Sequence, residues 1–179
     1  MNNMEKKGLV HIYTGNGKGK TTCSVGLAVR AIGHGFKVVY SCFLKRVGLY
    51  GYNEIDILRR LGTKVFVFTE GHPHFNPNVD LAQLKLDIQK ALNVLSEYIK
   101  KEGTELLILD EILVAVRDNF LEEEELISFI KSKPAHCELV LTGRGATKEL
   151  INMADYVSEI GIVKHPFEQG IASREGIEF

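Results

Sequence analysis

A glycine-rich loop that ends in a Lys-Thr pair follows the apolar run Leu9–Tyr13 near the start of the chain. Glycines let the backbone bend close to phosphate oxygens, and the start of the following helix adds partial positive charge. Lys20 would place an ammonium on the outer phosphates, and the Thr21 hydroxyl would ligate a phosphate-bound Mg²⁺ (or Mn²⁺). The loop residues predicted to hold a nucleotide are Gly15, Asn16, Gly17, Lys18, Gly19, Lys20, Thr21 and Thr22.

This loop differs from the common phosphate-loop pattern G-x-x-x-x-G-K-[ST] at its first position. Thr14 stands where that pattern has glycine, while Gly15, Gly17 and Lys18 enrich the middle of the loop. We therefore predict a nucleotide site whose loop departs from the common phosphate-loop pattern at its first position. The alternative is a glycine-rich turn between a strand and a helix, without a ligand.

An acidic pair, Asp110-Glu111, lies at the end of the predicted strand Glu105–Asp110, which is apolar at its four central positions. Phosphate-loop proteins usually keep their metal-binding carboxylates at the carboxyl end of a buried strand, on the same sheet edge as the loop. Asp110 or Glu111 would then hold Mg²⁺ directly or through water, opposite Thr21. A solvated acidic turn is the alternative for the pair taken alone.

Two further segments contain polar side chains at the ends of predicted strands. Arg144, in the turn Thr142–Gly145, could reach a phosphate or a carboxylate in forked geometry, or could lie in solvent. His72 and His74 lie in a loop with Phe75 and could line a pocket; the alternative, which the sequence alone favours, is that they are surface loop histidines.

The elements that must position these residues alternate between strands and helices. This order predicts an α/β domain with three layers, right-handed crossovers and a mostly parallel central sheet. The predicted strands are 9–13, 36–43, 64–69, 105–110, 138–142 and one near 156–163; the predicted helices are 21–32, 53–61, 78–101, 121–131 and 147–153.

The length of 179 residues suits one domain, predicted to span residues 1–179. A formal net charge of −1 argues against nucleic-acid or anionic-membrane binding through bulk charge. No apolar run is long enough to span a bilayer, and the first residues lack the apolar core of a signal peptide. Cys23, Cys42 and Cys137 show no disulfide or zinc spacing, so we expect reduced, structural thiols in a cytoplasmic protein.

Taken together, these motifs resemble the ATP:corrinoid adenosyltransferases of the phosphate-loop (P-loop NTPase, RecA-like) type. The resemblance runs in order over nearly the whole chain and includes a tail that phosphate-loop proteins in general do not have. The residues that carry it are Gly15–Thr22, Gly26, Arg30–Gly35, Phe43–Lys45, Asp110-Glu111, Thr142–Gly145, Ala154-Asp155, Lys164–Phe167, Gly170-Ile171 and Gly176–Glu178.

This resemblance implies transfer of the 5′-deoxyadenosyl group of ATP to the Co(I) of a corrinoid, with release of triphosphate. ATP would lie in the reverse sense from kinases, presenting C5′ instead of the γ-phosphate. The catalytic residues would be Lys20, Thr21 and Glu111, and the metal ligands Thr21, Asp110 and Glu111. The nucleophile is cobalt itself, so no Ser, Cys or Lys nucleophile is needed. The resemblance also implies a homodimer and a flavoprotein reductase that supplies Co(I).

Members of the family often carry a tryptophan-containing stretch at the corrinoid face, and this chain has no Trp. The corresponding segment is Phe66–Asn76, in which Phe68, His72 and Phe75 are the predicted corrinoid contacts; these aromatics could equally pack the loop on the core. Residues 45–54, which mix cations with aromatics, are the other candidate substrate loop.

Two other functions remain open from the sequence. An ordinary phosphate-loop kinase or NTPase would transfer the γ-phosphate and release ADP. A non-catalytic module would bind ATP and corrinoid without turnover.

Overall fold

The central element of the protein is a six-stranded sheet in which all the described strands are parallel. A computed structural model describes residues 7–47 and 53–178. The strand order is β3-β2-β4-β5-β1-β6. The strands are β1 (Val10–Thr14), β2 (Val38–Cys42), β3 (Lys64–Val67), β4 (Leu106–Asp110), β5 (Glu138–Thr142) and β6 (Tyr156–Glu159).

Helices cover both faces of this sheet, which gives the three predicted layers. In β4, Leu107 and Leu109 face one apolar cluster, while Leu106 and Ile108 face the other. Burial on both faces explains why this strand is apolar at four consecutive positions. The helices are α1 (Lys20–Gly33), α2 (Asn53–Arg60), α3 (Leu81–Glu102), α4 (Ile112–Arg117), α5 (Glu123–Ser132) and α6 (Lys148–Met153).

Local signals set the helix ends. The Asp80 carboxylate accepts hydrogen bonds from the Ala82 and Gln83 backbone N–H groups at the start of α3, and Gly103 ends that helix in a left-handed conformation. Glu122 and Glu125 form a capping box at the start of α5, and this start lies within the predicted helix 121–131.

The sequence analysis missed two short elements, α4 and a 3₁₀ turn at Pro166–Gln169. Helix α4 has the sequence ILVAVR, and its first five residues are buried. A short apolar run without polar positions has no helical periodicity to read, which is why the pattern could not reveal it. The predicted sixth strand was too long, because β6 ends at Glu159.

Candidate functional site

The predicted phosphate loop, acidic pair and arginine turn meet at one edge of the sheet. β5 lies between β1 and β4, and all three run in the same direction. The segments that follow Thr14, Asp110 and Thr142 therefore emerge side by side, as ligand-binding segments do in open α/β sheets. The three cysteines are free thiols; Cys42 and Cys137 are buried, and Cys23 is exposed.

The loop conformation depends on close contact with the segment after β6. The Gly17 N–H donates a 2.7 Å hydrogen bond to the Ile160 carbonyl. A Cβ on Gly17 would lie 2.4 Å from the Gly161 carbonyl oxygen, and one on Gly15 would lie 2.5 Å from that of Ile160. Gly15 also has a φ of +94°. The unusual Thr14 is buried, and its hydroxyl accepts a 3.3 Å hydrogen bond from the Ala146 N–H, which ties β1 to the turn after β5.

We expect Gly17→Ala to destabilise the protein by roughly 1–3 kcal/mol, because the added methyl group overlaps backbone atoms that cannot move independently. Urea unfolding measures the change. Gly26→Ala is the matched control: it lies in α1, nothing lies within 4 Å of its added Cβ, and we expect a gain of about 0.5–1 kcal/mol. Equal effects of the two substitutions would contradict the packing argument.

Lys20, the first residue of α1, is folded back over the loop. Its ammonium donates hydrogen bonds to the carbonyls of Gly15 (2.8 Å) and Gly17 (2.7 Å). The side chain is buried, and this burial lowers its pKa. An ammonium held above the concave side of such a loop lies where phosphate oxygens bind.

Asp110, at the end of β4, is the centre of a buried hydrogen-bond network. It accepts bonds from the Thr21 hydroxyl (3.0 Å) and the Thr142 hydroxyl (2.7 Å). The Thr142 hydroxyl in turn accepts a 2.9 Å bond from the Glu111 N–H. One carboxylate thus orients Thr21 in the loop and, through Thr142, the backbone that carries Glu111.

Lys45 forms a buried ion pair with this carboxylate. Its Nζ lies 2.5 Å from Asp110 Oδ2 and 3.9 Å from Glu54 Oε1. Burial favours the neutral form of Asp110, but the Lys45 ammonium and the hydrogen bonds that the carboxylate accepts together outweigh burial and lower the pKa of that carboxyl. The Asp110 carboxylate likewise raises the pKa of Lys45 against the effect of burial.

The pKa of Glu111 changes in the opposite direction. Burial raises it, and the neighbouring Asp110 charge adds to the increase. Adjacent carboxyls with pKa values moved apart are typical of functional sites.

Two cavities meet at this edge of the sheet. The first, of about 570 Å³, is lined by Asn16–Thr22 of the loop, and the second, of about 640 Å³, is lined by His72, His74 and Phe75. Lys45, Glu111 and Arg144 line both. We call these the loop cavity and the aromatic cavity, and the three shared residues the common wall.

The aromatic cavity contains a fixed histidine. The His74 backbone N–H donates to His72 Nδ1 at 3.0 Å, so His72 Nε2 carries the proton and donates to Asp118 at 2.8 Å. Hydrogen bonds from Arg117 lower the pKa of Asp118 to about 2, which keeps this partner charged.

The C-terminal tail reaches the loop cavity. The Lys18 ammonium donates to the Glu178 carboxylate at 2.8 Å and to the Ile177 carbonyl at 3.0 Å. Arg174 donates to the same carboxylate at 3.1 Å. His165, Ser173 and Gly176 also line the cavity.

Most predicted site residues line one of the two cavities, and three do not. Gly15 shapes the loop from outside the cavity lining, and Phe68 packs between Phe43 and Phe66. Asp110, a predicted metal ligand, is fully buried behind the cavity surfaces. Of the candidate substrate loop at 45–54, Lys45, Asn53 and Glu54 line the loop cavity, while residues 48–52 lie outside the described residues.

From the sequence, Lys45 was named as part of the resemblance motif and as the start of the candidate substrate loop, but without a role of its own. Asp118 was not predicted, because no local pattern marks it. Within residues 7–47 and 53–178, no cluster of three or more His, Cys, Asp or Glu side chains could hold a metal. No helix in those ranges is both long and apolar enough to cross a membrane.

Comparison with known proteins identifies the family. Residues 6–179 match the sequence model of the family described as ATP:corrinoid adenosyltransferase BtuR/CobO/CobP. A corrinoid adenosyltransferase of Sinorhizobium sp is 35% identical over 176 residues, covering 98% of this chain and 82% of that protein. The corrinoid adenosyltransferase CobA of Salmonella typhimurium is 33% identical over 177 residues, covering 98% and 87%.

A solved structure supports the fold class. The flagellar accessory protein FlaH of Methanocaldococcus jannaschii matches with a TM-score of 0.54 and 14% identity, over 86% of this chain and 71% of that one. At this identity the likeness concerns the fold alone. The predicted α/β class of P-loop, RecA-like type is confirmed.

Proposed function

Because this chain belongs to the ATP:corrinoid adenosyltransferase family, we propose that it transfers the 5′-deoxyadenosyl group of ATP to the Co(I) of a corrinoid and releases triphosphate. The observation that carries the proposal is the common wall between two cavities. One cavity has the loop of a triphosphate site, and the other has aromatic and imidazole side chains. A transfer between two bound molecules needs this adjacency, since the reacting atoms must lie about 3–3.5 Å apart.

The loop would hold the leaving group. The Lys20 ammonium and the backbone N–H groups at the start of α1 place positive charge at the loop cavity, and Lys18 could exchange its Glu178 partner for a phosphate oxygen. Triphosphate gains negative charge when the bond from C5′ to the α-phosphate oxygen breaks, so positive charge that is already in place lowers the barrier. With its triphosphate held in the loop, ATP would direct its adenosyl end toward the common wall.

The donor set suits Mg²⁺. Thr21 and Glu111 offer oxygen ligands on the loop cavity, and Mg²⁺ takes oxygen ligands together with substrate phosphates. Asp110 is already engaged by Thr21, Thr142 and Lys45, so we propose that it orients Thr21 and that Glu111 is the carboxylate nearer the metal. Bound Mg²⁺ would supply charge neutralisation on the phosphates.

The aromatic cavity would receive the corrinoid. Phe75 is exposed beside His72 and His74, which gives the cavity an apolar wall with polar edges suited to a large amide-bearing ring. Phe68 would act behind this wall, through its packing on Phe66.

An assay with chemically reduced cobalamin, ATP and Mg²⁺ tests the proposal. We expect the corrinoid spectrum to change to that of the adenosylated form, with one triphosphate released per corrinoid. ADP and orthophosphate without adenosylcorrinoid would overturn the proposal in favour of an NTPase. Binding of both substrates without turnover would indicate a non-catalytic module.

Replacing Phe75 by alanine is expected to raise the KM for the corrinoid about tenfold and to leave the KM for ATP unchanged, because an exposed ring that covers an apolar ligand is lost. Initial rates at varied corrinoid and ATP concentrations measure both constants. Leu86→Ala, which removes a similarly exposed apolar side chain from α3, serves as the control. A rise in the KM for ATP alone would show that Phe75 contacts the nucleotide.

The family resemblance also supports a cytoplasmic homodimer that receives Co(I) from a flavoprotein reductase. Light scattering on the purified protein tests the dimer. Replacement of the chemical reductant by a flavoprotein reductase with its nicotinamide cofactor tests the electron supply.

A further inference from the structure

Lys45 is the most deeply buried cation on the common wall. It follows the end of β2 by three residues, and only 8% of its surface is exposed. Arg144, the other cation of the wall, is exposed. Lys20 is turned toward the loop carbonyls of Gly15 and Gly17. Lys45 is therefore the buried ammonium that borders both cavities.

The backbone that positions Lys45 is strained. Among the described residues, the non-glycine residues with positive φ are Leu44, Glu111 and Asn119. The first two, with φ of 56° and 67°, carry the chain into the common wall. Hydrogen bonds hold each of them: Leu44 N–H to the Thr69 hydroxyl at 2.6 Å, and Glu111 N–H to the Thr142 hydroxyl at 2.9 Å. Strain of this kind is maintained where it positions functional side chains.

From this placement we propose that Lys45 is a catalytic residue that contacts the departing oxygen of ATP. The inference rests on the proposed function. The lone pair of Co(I) forms the bond to C5′, the bond between C5′ and the α-phosphate oxygen breaks, and its electron pair stays on triphosphate. Cobalt becomes formally Co(III), and no further oxidant or reductant takes part. The Lys45 ammonium meets the new negative charge at that oxygen.

The ion pair with Asp110 prepares Lys45 for this role. It fixes the ammonium at the wall before substrate binds, so little reorganisation is needed when charge develops. A group that acts mainly on developing charge contributes to kcat more than to KM. If Lys45 served only to neutralise Asp110, its replacement would change stability but would not lower kcat more than it raises KM.

The first test is Lys45→Met, assayed with saturating Co(I) corrinoid over ATP concentrations that reach saturation. We expect the rate to fall about 10²–10³-fold while the KM for ATP changes little. Lys133→Met is the matched control, because Lys133 is a partly buried lysine bonded to the Gly8 and Cys137 carbonyls at the opposite edge of the sheet. An unchanged rate in Lys45→Met would overturn the inference.

The second test separates catalysis from charge balance by repeating Lys45→Met in an Asp110→Asn background, which lacks the carboxylate that pairs with Lys45 at 2.5 Å. If Lys45 acts on the leaving group, the substitution lowers the rate in this background as well. If Lys45 is only a counterion, the two Asp110→Asn proteins react equally fast and the inference fails. Lys45→Met alone leaves the buried Asp110 carboxylate without its cation and could unfold the protein. The double variant has no such charge, so its rate can be measured even if the single variant does not fold.

Binding of inorganic triphosphate gives a readout that does not need turnover. We expect calorimetry to show at least about tenfold weaker binding when Lys45→Met is introduced into the Asp110→Asn protein. Equal affinities would overturn the contact. If the wild-type protein adenosylates corrinoid but these variants match their parents, the inference on Lys45 fails and the proposed function stands. If the wild-type protein forms no adenosylcorrinoid, it is the proposed function that fails.

Discussion

Adenosyl transfer by the Lys20→Ala protein is expected to be slower than that of the wild type by about 10³-fold. Lys20 is buried at the start of α1, and its ammonium lies above the two glycine carbonyls of the loop. ATP would draw this ammonium onto its phosphates. Removal of the ammonium weakens ground-state binding and also leaves the charge of the leaving triphosphate less compensated. We therefore expect both a higher KM for ATP and a lower kcat.

Lys37→Ala is the control for this experiment. Lys37 is an exposed lysine whose ammonium donates to the Glu102 carbonyl, near the amino end of β2 and away from both cavities. We expect wild-type kinetics from it. If Lys20→Ala also retained near-wild-type kinetics, the loop would not be the triphosphate site, and the orientation of ATP toward the common wall would lose its basis.

The largest expected effect on stability comes from Asp110→Ala, which should lower the free energy of unfolding at neutral pH by about 3–5 kcal/mol. The substitution leaves the Lys45 ammonium buried beside a cavity without its main counter-charge. It also removes the acceptor of the Thr21 and Thr142 hydroxyls. Urea unfolding followed by circular dichroism measures the loss. Asp87→Ala, at a half-exposed position of α3 where the carboxylate accepts a hydrogen bond from Gln83, should cost less than about 0.5 kcal/mol.

The same carboxylate makes a pH prediction with a definite sign. The pKa of Asp110 in the folded protein is lowered by Lys45, so its stabilisation is complete above the unfolded value of about 3.9 and is lost as the pH falls below that value. The difference in unfolding free energy between wild type and Asp110→Ala should therefore be constant near neutral pH and shrink in acid. A difference that grew in acid would mean that Asp110 is protonated in the folded protein.

The positions of the loop and of the acidic pair could be predicted from the sequence because both are encoded locally. A loop next to a strand, or a carboxylate at a strand's end, needs only the parallel topology to reach the same sheet edge. Thr21 and Asp110 are 89 positions apart, yet the order of strands and helices sufficed to predict that they face each other; their direct hydrogen bond was not predicted.

Other contacts depend on packing that no local pattern contains. His72 meets Asp118 across 46 positions, and Asp118 directly follows the unpredicted helix α4. Lys45 reaches Asp110 because Leu44 has a φ of 56°, a left-handed conformation that leucine rarely adopts. Phe68 was predicted as a corrinoid contact from the family resemblance, but its ring stacks on Phe66 instead.

The bond from Lys18 to Glu178, across 160 positions, has a practical consequence for handling the protein. Glu178 lies at the carboxyl-end edge of the sheet, whereas Gly8, bonded to Ala135, lies at the opposite edge. A five-residue strand separates these edges by about 17 Å. A fluorophore or surface tether attached beside Glu178 would thus report on the mouth of the loop cavity. A surface tether attached beside Gly8 would immobilise the protein with both cavities facing solution.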